Sequence, residues 1–260
     1  MRLSVVIITL NEEHNIERCI RSAKEIADEI LVVDSHSGDA TVNLAEALGA
    51  RVVLKRFTDY VAQKHFAMSQ AEHDWILSLD ADEVVSAELL QQIKQVKEQP
   101  EFQAYRFKRL TNYCGQWIRH CGWYPDKKVR LFDRTKGKWE GNKIHEQWLL
   151  HTHQPVGELA GDLHHYSFNT VADHFIKVTR YTDILADIKA ERGKPIPALK
   201  MWLSPLAGFL TSYLIKAGFM DGYNGFLICK ISAYATYLKY KKARAIMSCN
   251  RQPTLSTAKA

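Results

Sequence analysis

The residues best suited to chemistry stand together at the end of a short apolar run, Trp75-Ile76-Leu77-Ser78-Leu79-Asp80-Ala81-Asp82-Glu83. The run has strand length and stops at a polar edge. Acids this close repel one another and lose solvation unless positive charge sits among them, and a divalent cation commonly supplies it. Asp80 and Asp82, on a loop leaving a strand, can converge on one hard cation and its bound phosphates. Mg²⁺ is held in this way, by one or two carboxylates plus phosphate oxygens. A solvated turn ahead of the helical pattern that begins at Ser86 would look the same, so the elements around the acids decide between the two.

Those elements alternate. Leu3 to Thr9 is an unbroken apolar, β-branched run, as in a strand buried on both faces. Asn11-Glu12-Glu13 follows, then Ile16, Cys19-Ile20, Ala23 and Ile26 at helical spacing. Glu29 to Val33 predicts a second strand ending at Asp34. Asp39 is placed to cap a helix that Gly49 closes, and Arg51 to Leu54 predicts a third strand. A helix over 60–71, the strand 75–79 and a helix stopped before Pro100 complete the pattern. Strand–helix alternation implies right-handed βαβ units and a parallel sheet. Ligands of such sheets bind beyond the carboxyl ends of the strands, where Thr9-Leu10-Asn11-Glu12, Asp34 and Asp80-Ala81-Asp82 all fall. Neither G-x-G-x-x-G after the first strand nor G-x-x-x-x-G-K-[ST] is present, which disfavours a dinucleotide dehydrogenase or a P-loop NTPase.

From about Glu101 short strands are predicted at 104–109, 129–132, 144–149 and 159–166, amid Trp117, Trp123, Tyr124, Trp139 and Trp148. A long helix is expected from Val171 to Gly193. Residues 201–215 carry no charge, are too few to span a bilayer and contain Pro205, which predicts an interfacial or re-entrant helix. The net charge of +6 is concentrated beyond Asp221, where seven Lys and Arg stand without one acid. That distribution argues against a nucleic-acid-binding body and for a local anionic partner, the surface of a membrane. Five scattered cysteines without C-x-x-C suit a reducing compartment, and the N-terminus runs straight into a strand with no leader expected.

Taken in order, Val6-Ile7-Ile8-Thr9-Leu10-Asn11-Glu12-Glu13, Val32-Val33-Asp34-Ser35 with Ser37, Asp39 and Thr41, and Leu79-Asp80-Ala81-Asp82-Glu83 resemble inverting family 2 glycosyltransferases of GT-A fold. Gln63-Lys64, Arg130-Leu131-Phe132, Gly141-Asn142-Lys143-Ile144-His145-Glu146, Leu163-His164-His165-Tyr166-Ser167, Lys177-Val178-Thr179-Arg180-Tyr181 and Gly218-Phe219-Met220-Asp221-Gly222 narrow this. They resemble lipopolysaccharide inner-core β-1,4-glucosyltransferases that add glucose to a heptose, over about residues 1–244. His65 departs from the Asn that many relatives carry there.

The resemblance implies an α/β fold with a mostly parallel Rossmann-like sheet and a C-terminal helical extension. Residues 1–100 would form the nucleotide-sugar half, 101–170 the acceptor half and 171–260 the helical, basic, membrane-associating region. It implies UDP-glucose as donor, a lipopolysaccharide core acceptor, and Mg²⁺ or Mn²⁺. The donor would be bound by Thr9, Asn11, Glu12, Asp34, Gln63, Lys64, Asp80, Ala81 and Arg130, and the metal by Asp82 and Asp80. Lys64 and Arg130 would contact diphosphate or acceptor, although salt-bridge roles also suit them. Glu146 would be the general base, with Asp126 and Asp133 as runners-up. His164-His165 could supply a further metal ligand and His151-Thr152-His153 superficially resembles a zinc pair, but without matching Cys or carboxylate spacing structural or acceptor roles are favoured for both. The expected location is peripheral, on the inner face of the bacterial inner membrane. The rivals are transfer to a polyprenyl phosphate, a sugar-binding module without catalysis, and a nucleotidyltransferase.

Overall fold

The structure is a computed structural model that describes residues 1–142 and 145–249. Lys143 and Ile144 of the Gly141–Glu146 motif lie outside the described residues, as do Arg251 and Lys259 of the basic tail.

The first hundred residues fold as their periodicities dictate. Strand β1 (Leu3–Thr9) is buried along its whole length. It pairs in parallel with β2 (Glu29–Asp34) on one side and β4 (Trp75–Asp80) on the other, while β3 (Arg51–Leu54) extends the sheet beyond β2. The chain therefore leaves β1 in one direction and returns on its other flank, which makes the β1–β4 seam a topological switch point. Helices α1 (Ile16–Ala23), α2 (Thr41–Ala47), α3 (Tyr60–Ser69) and α4 (Ala87–Glu98) form the crossovers. Helix α3 is capped by Asp59, which accepts from Ala62 N at 2.8 Å, and α4 by Ser86. Asp39 is not at the N-cap of α2, a position taken by Ala40; its carboxylate accepts instead from Thr41 N and Glu13 N, fastening the loop that enters the helix.

Beyond β4 the sheet turns antiparallel. It comprises, among the described residues, nine strands. Strands β5 (Glu83–Val85), β6 (Ala104–Tyr113), β7 (Gln116–Ile118), β8 (Asp126–Asp133) and β11 (Gly157–Phe168) extend it in the order β4-β8-β6-β11-β5, with β7 folded back on β6. Cys114 and Gly115 both have positive φ, the two-residue turn that suits a hairpin's twist. Strands β9 (Gly137–Asn142) and β10 (His145–Leu150) make a separate antiparallel ribbon. It is anchored by Trp148, which stacks on Phe132 with ring centroids 3.8 Å apart, and by Trp139 edge-on to both rings.

Three strands escape the sequence reading. Glu83-Val84-Val85 begins with a charged residue, yet Glu83 is fully buried among arginines. Gln116–Ile118 is too short to show a period. Gly137–Asn142 reads as a turn, with two glycines and alternating charges. Gly137 is required there because a Cβ would meet Leu149 O at 2.3 Å and the Trp148 ring at 2.8 Å.

The chain divides into two compact units, 1–112 with 125–167, and 113–124 with 168–260. The second contains α5 (Val171–Glu191), α6 (Ala198–Leu210) and α7 (Gly222–Cys249). Helix α5 opens with a capping box between Thr170 and Asp173. Helix α6 continues through Pro205 and ends in one wider π turn at Thr211–Ile215, so the proline does not end it. Within this unit Tyr113, Ile118, Cys121, Ile228 and Cys229 form the core, with Trp123, Phe168 and Phe209 packed on it. No described helix is long and apolar enough to cross a membrane.

Candidate active site

The edge at the carboxyl ends of β1, β2 and β4 carries the expected residues. Thr9 ends β1, in register with Asp34 at the end of β2, and Ile8 is in register with Asp80 at the end of β4. Thr9 Oγ1 is buried with no hydrogen-bond partner, a polar atom left for a ligand at the strand tip. Asn11 adopts a left-handed φ of 54°. Its N–H donates to Ser37 Oγ and its side-chain carbonyl accepts from Gly38 N, each at 2.8 Å, which ties the β1 loop to the β2 loop. Glu12 accepts from Asn15 Nδ2, and its own N–H donates to Thr41 Oγ1 at 2.8 Å. Asp34, fully buried, accepts from the backbone and hydroxyl of Ser37 and thereby shapes the turn after β2. Gln63 Nε2 donates to Ser35 Oγ at 3.1 Å, while its carbonyl oxygen is buried without a partner. The Ala81 N–H donates to Ile8 O, pinning the acid loop to β1.

Beside this edge lies a buried charge cluster, all of it within the first unit. Lys64, 2% exposed on α3, holds Asp80 Oδ1 and Glu146 Oε1, each at 3.0 Å, and lies 4.9 Å from the centre of the Trp139 ring. Arg130, 3% exposed on β8, reaches Asp80 Oδ2 and Glu83 Oε1, each at 2.8 Å. Arg109 pairs with Glu83 and Asp126, and Lys128 with Asp126. The contact of Asp80 Oδ1 with Lys64 is an ion pair without hydrogen-bond alignment. Burial opposes the charge on Asp80, yet Arg130 and then Lys64 outweigh it and hold its carboxyl well below the usual range. Burial likewise works against the Arg130 guanidinium, and Asp80 and Glu83 overcome it, raising its already high pKa. Asp80 is thus ionised at any working pH.

Asp82 stands on the same loop. Its Oδ2 lies 3.2 Å from His165 Nε2, and Thr111 Oγ1 is 3.4 Å from the other ring nitrogen of His165. The carboxylate suits a hard divalent cation such as Mg²⁺ or Mn²⁺, and the imidazole beside it suits the softer Mn²⁺ better than Mg²⁺. Among the described residues no group of three or more His, Cys, Asp or Glu is arranged to hold a metal ion. A cation at Asp82 would have to draw most of its ligands from phosphate oxygens and water. Among the described residues Asp80, Glu83, Asp126 and Glu146 face Lys64, Arg109, Lys128 and Arg130, and Asp82 stands beside them on His165. The sequence suggests a structural or acceptor role for His165; its partner is one end of an acid pair far away in the chain, brought near by the β5–β11 register, which pairs Glu83 with His165, and by the Tyr166 N–H, which donates to Asp82 O at 2.8 Å.

Glu146 sits on β10 of the ribbon, opposite Gly141. Asp126 is committed to Arg109 and Lys128, and Asp133 to the backbone and hydroxyl of Thr135.

The chain matches the family described as Glycosyl transferase family 2 over residues 4–151. It is 32% identical over 255 residues to an uncharacterized glycosyltransferase of Rickettsia typhi, covering 94% of this chain and 87% of the relative. It is 27% identical over 272 residues to the lipopolysaccharide core biosynthesis glycosyltransferase LpsC of Rhizobium meliloti, covering 98% and 97%. Glucosyl-3-phosphoglycerate synthase from Mycobacterium tuberculosis, in complex with Mn²⁺, UDP-glucose and phosphoglyceric acid, is 26% identical with a TM-score of 0.36. This chain spans 44% of that one, and the same share of this chain is covered.

Proposed function

Because the chain belongs to glycosyl transferase family 2, we propose that it transfers glucose from UDP-glucose to a heptose of the lipopolysaccharide core, with inversion and with a divalent metal. The observation that carries this reading is the meeting of the acid loop with Glu146. Lys64 touches both Asp80 and Glu146, which brings a donor-side carboxylate and a candidate base to one point beside the β1–β4 switch. The near full-length likeness to LpsC supports a lipopolysaccharide core acceptor.

In this reading Thr9, Asn11, Glu12, Asp34 and Gln63 form the nucleotide pocket at the strand tips. The orphaned Thr9 hydroxyl and Gln63 carbonyl support it, since buried polar atoms require partners. Asp82 and His165 hold the metal, and Asp80, fixed by Lys64 and Arg130, faces the ribose or that metal. When bound, the metal supplies Lewis acidity at the diphosphate and offsets the charge of the leaving UDP. Glu146 takes the proton of the acceptor hydroxyl as its oxygen bonds to the anomeric carbon and the bond to the β-phosphate oxygen breaks. A single displacement converts the α-linked donor sugar to a β-glycoside.

The test offers the purified protein UDP-glucose, UDP-galactose and UDP-N-acetylglucosamine, with Mn²⁺ or Mg²⁺ and then with chelator, on a heptose-terminated core lipid. Metal-dependent release of UDP from UDP-glucose with a β-linked product is expected. Glu146→Gln should lower kcat by about 10²- to 10⁴-fold, the usual weight of a general base. An undiminished Glu146→Gln rate would remove the base assignment, and a product of retained configuration would remove the single displacement.

The second unit supports a role at an anionic membrane surface. Leu199, Trp202, Leu203, Leu206 and Leu210 recur at helical spacing along α6 and are all exposed, followed by Leu214 and by Ile215, which is 81% exposed. Lys189, Lys200 and Lys239, from three helices, approach the Tyr240 ring at 5.4, 6.0 and 4.9 Å. An exposed apolar stripe beside converging cations suits the headgroup–acyl boundary of an anionic bilayer.

A further inference from the structure

Of the roles the sequence offers Lys64, contact with diphosphate or acceptor or a salt bridge, the structure displays the ion-paired one, with the ammonium enclosed. The side chain is 1% exposed and lies between two carboxylates at 3.0 Å, one on the acid loop after β4 and one on the separate β9–β10 ribbon. It reaches them from α3, a third element. The Trp139 ring closes one side at 4.9 Å, and His65, the next residue of α3, binds Trp139 O at 2.8 Å. The helix is therefore fastened to the ribbon twice, once by an ion pair and once by a hydrogen bond. Asp80 does not depend on Lys64 alone, because Arg130 holds its other oxygen at 2.8 Å. For Glu146 the position is different. Among the described residues Lys64 makes the only ion pair to Glu146, through Oε1.

From this asymmetry we infer that Lys64 is a positioning residue, which sets Glu146 against the acid loop so that the acceptor hydroxyl meets the base in register with the donor. The inference rests on the glycosyltransferase reading with Glu146 as base. A lysine ammonium is well suited to the task, since it has three donors and can serve two carboxylates at once. Displacements of about 1 Å in such a group cost on the order of 10²-fold in rate.

The experiment is a double-mutant cycle of Lys64→Met and Glu146→Gln in the full chain, read in three ways: unfolding midpoint, UDP-glucose affinity by calorimetry with Mn²⁺, and kcat for transfer. Lys64→Met should lower kcat by about 10²-fold while donor affinity changes by less than about fivefold, because Arg130 still holds Asp80. In the Glu146→Gln background the same change should cost less than about threefold in kcat, as expected of two residues acting as one unit. The unfolding midpoint of the double variant should exceed the sum expected from the single changes, because neither charge is then buried alone. If Lys64→Met is too unstable to assay, Lys64→Arg and the double variant carry the same comparison with the local charge kept balanced.

Donor affinity that falls in step with kcat would make Lys64 a diphosphate ligand and overturn the inference. So would equal losses in the two backgrounds, or additive unfolding midpoints. Wild-type protein that binds no donor and transfers nothing, yet shows the coupled midpoints, would instead overturn the glycosyltransferase reading and leave the Lys64 clamp standing.

Discussion

At Asp82 a carboxylate and an imidazole stand 3.2 Å apart, and each has a different standing in the sequence. Asp82 is visible at once, because closely spaced acids ending an apolar run need a cation to coexist. His165 shows only as half of a histidine pair, since a histidine on a half-buried strand has no periodic signature and its partner is brought near by the fold. Glu83 is visible as a third acid of the run, but its full burial between Arg109 and Arg130 is not. If Asp82 and His165 share the metal, His165→Ala should weaken Mn²⁺ binding in the presence of UDP by about 10- to 100-fold, the range seen when metal-site partners are removed. Calorimetric titration of Mn²⁺ gives the number, and an unchanged affinity would return His165 to a structural role.

Among the elements, the helices and strands of the first hundred residues, β5 apart, follow from apolar spacing and turn signals, although the cap of α2 is not the Asp39 that the sequence suggests. The middle section does not, because its strands owe their burial to aromatic stacking and ion pairs rather than to alternation. Helix α5 illustrates both. Its start is marked by the Thr170–Asp173 capping box, whereas the role of His174, one residue on, is set by the rings around it. His174 is 5% exposed, packs against Tyr113, Trp123 and Phe168, and its Nδ1 lies 3.1 Å from the Tyr113 hydroxyl. Burial, with Lys177 adding to it, holds its pKa down to about 4. The unfolded chain binds that proton near 6.5, so the folded state binds fewer protons between about pH 6.5 and 4 and loses stability as pH falls through this window. The loss amounts to about 3 kcal/mol at most and is absent above pH 7. Urea unfolding at pH 7.5 and 5.0 should show it for the wild type and show much less for His174→Phe; equal pH dependence in both would assign it elsewhere.

At the scale of the whole molecule, the charge division legible in the sequence has a counterpart in the helices after Phe168. Their exposed leucines carry no alternation that distinguishes a packed helix from an interfacial one, so amphipathicity announced the stripe without revealing which side was covered. Sedimentation with anionic and neutral vesicles measures what the stripe does. Wild-type protein should pellet with anionic vesicles at low salt and be released by high salt. Leu203→Glu with Leu206→Glu, both at exposed positions, should lower the bound fraction at least about tenfold without shifting the unfolding midpoint. Equal recovery in the supernatant for both proteins would discard the membrane role.

Among the described residues the ribbon of β9 and β10 is paired to no other strand, and its seat on the sheet is a stack of rings, Trp139 and Trp148 against Phe132. Glu146 is thus borne by a piece that shares no hydrogen-bonded ladder with the strands whose tips form the proposed nucleotide pocket. Under the proposed assignment, such a layout would let inheritance treat the two separately: residues of the ribbon could be exchanged, and with them the alcohol that is glycosylated, while the pocket for the activated sugar is passed on unaltered. A chimaera carrying a relative's ribbon between Gly137 and Leu150, with Lys64 and the aromatic seat kept, would be the laboratory form of that exchange.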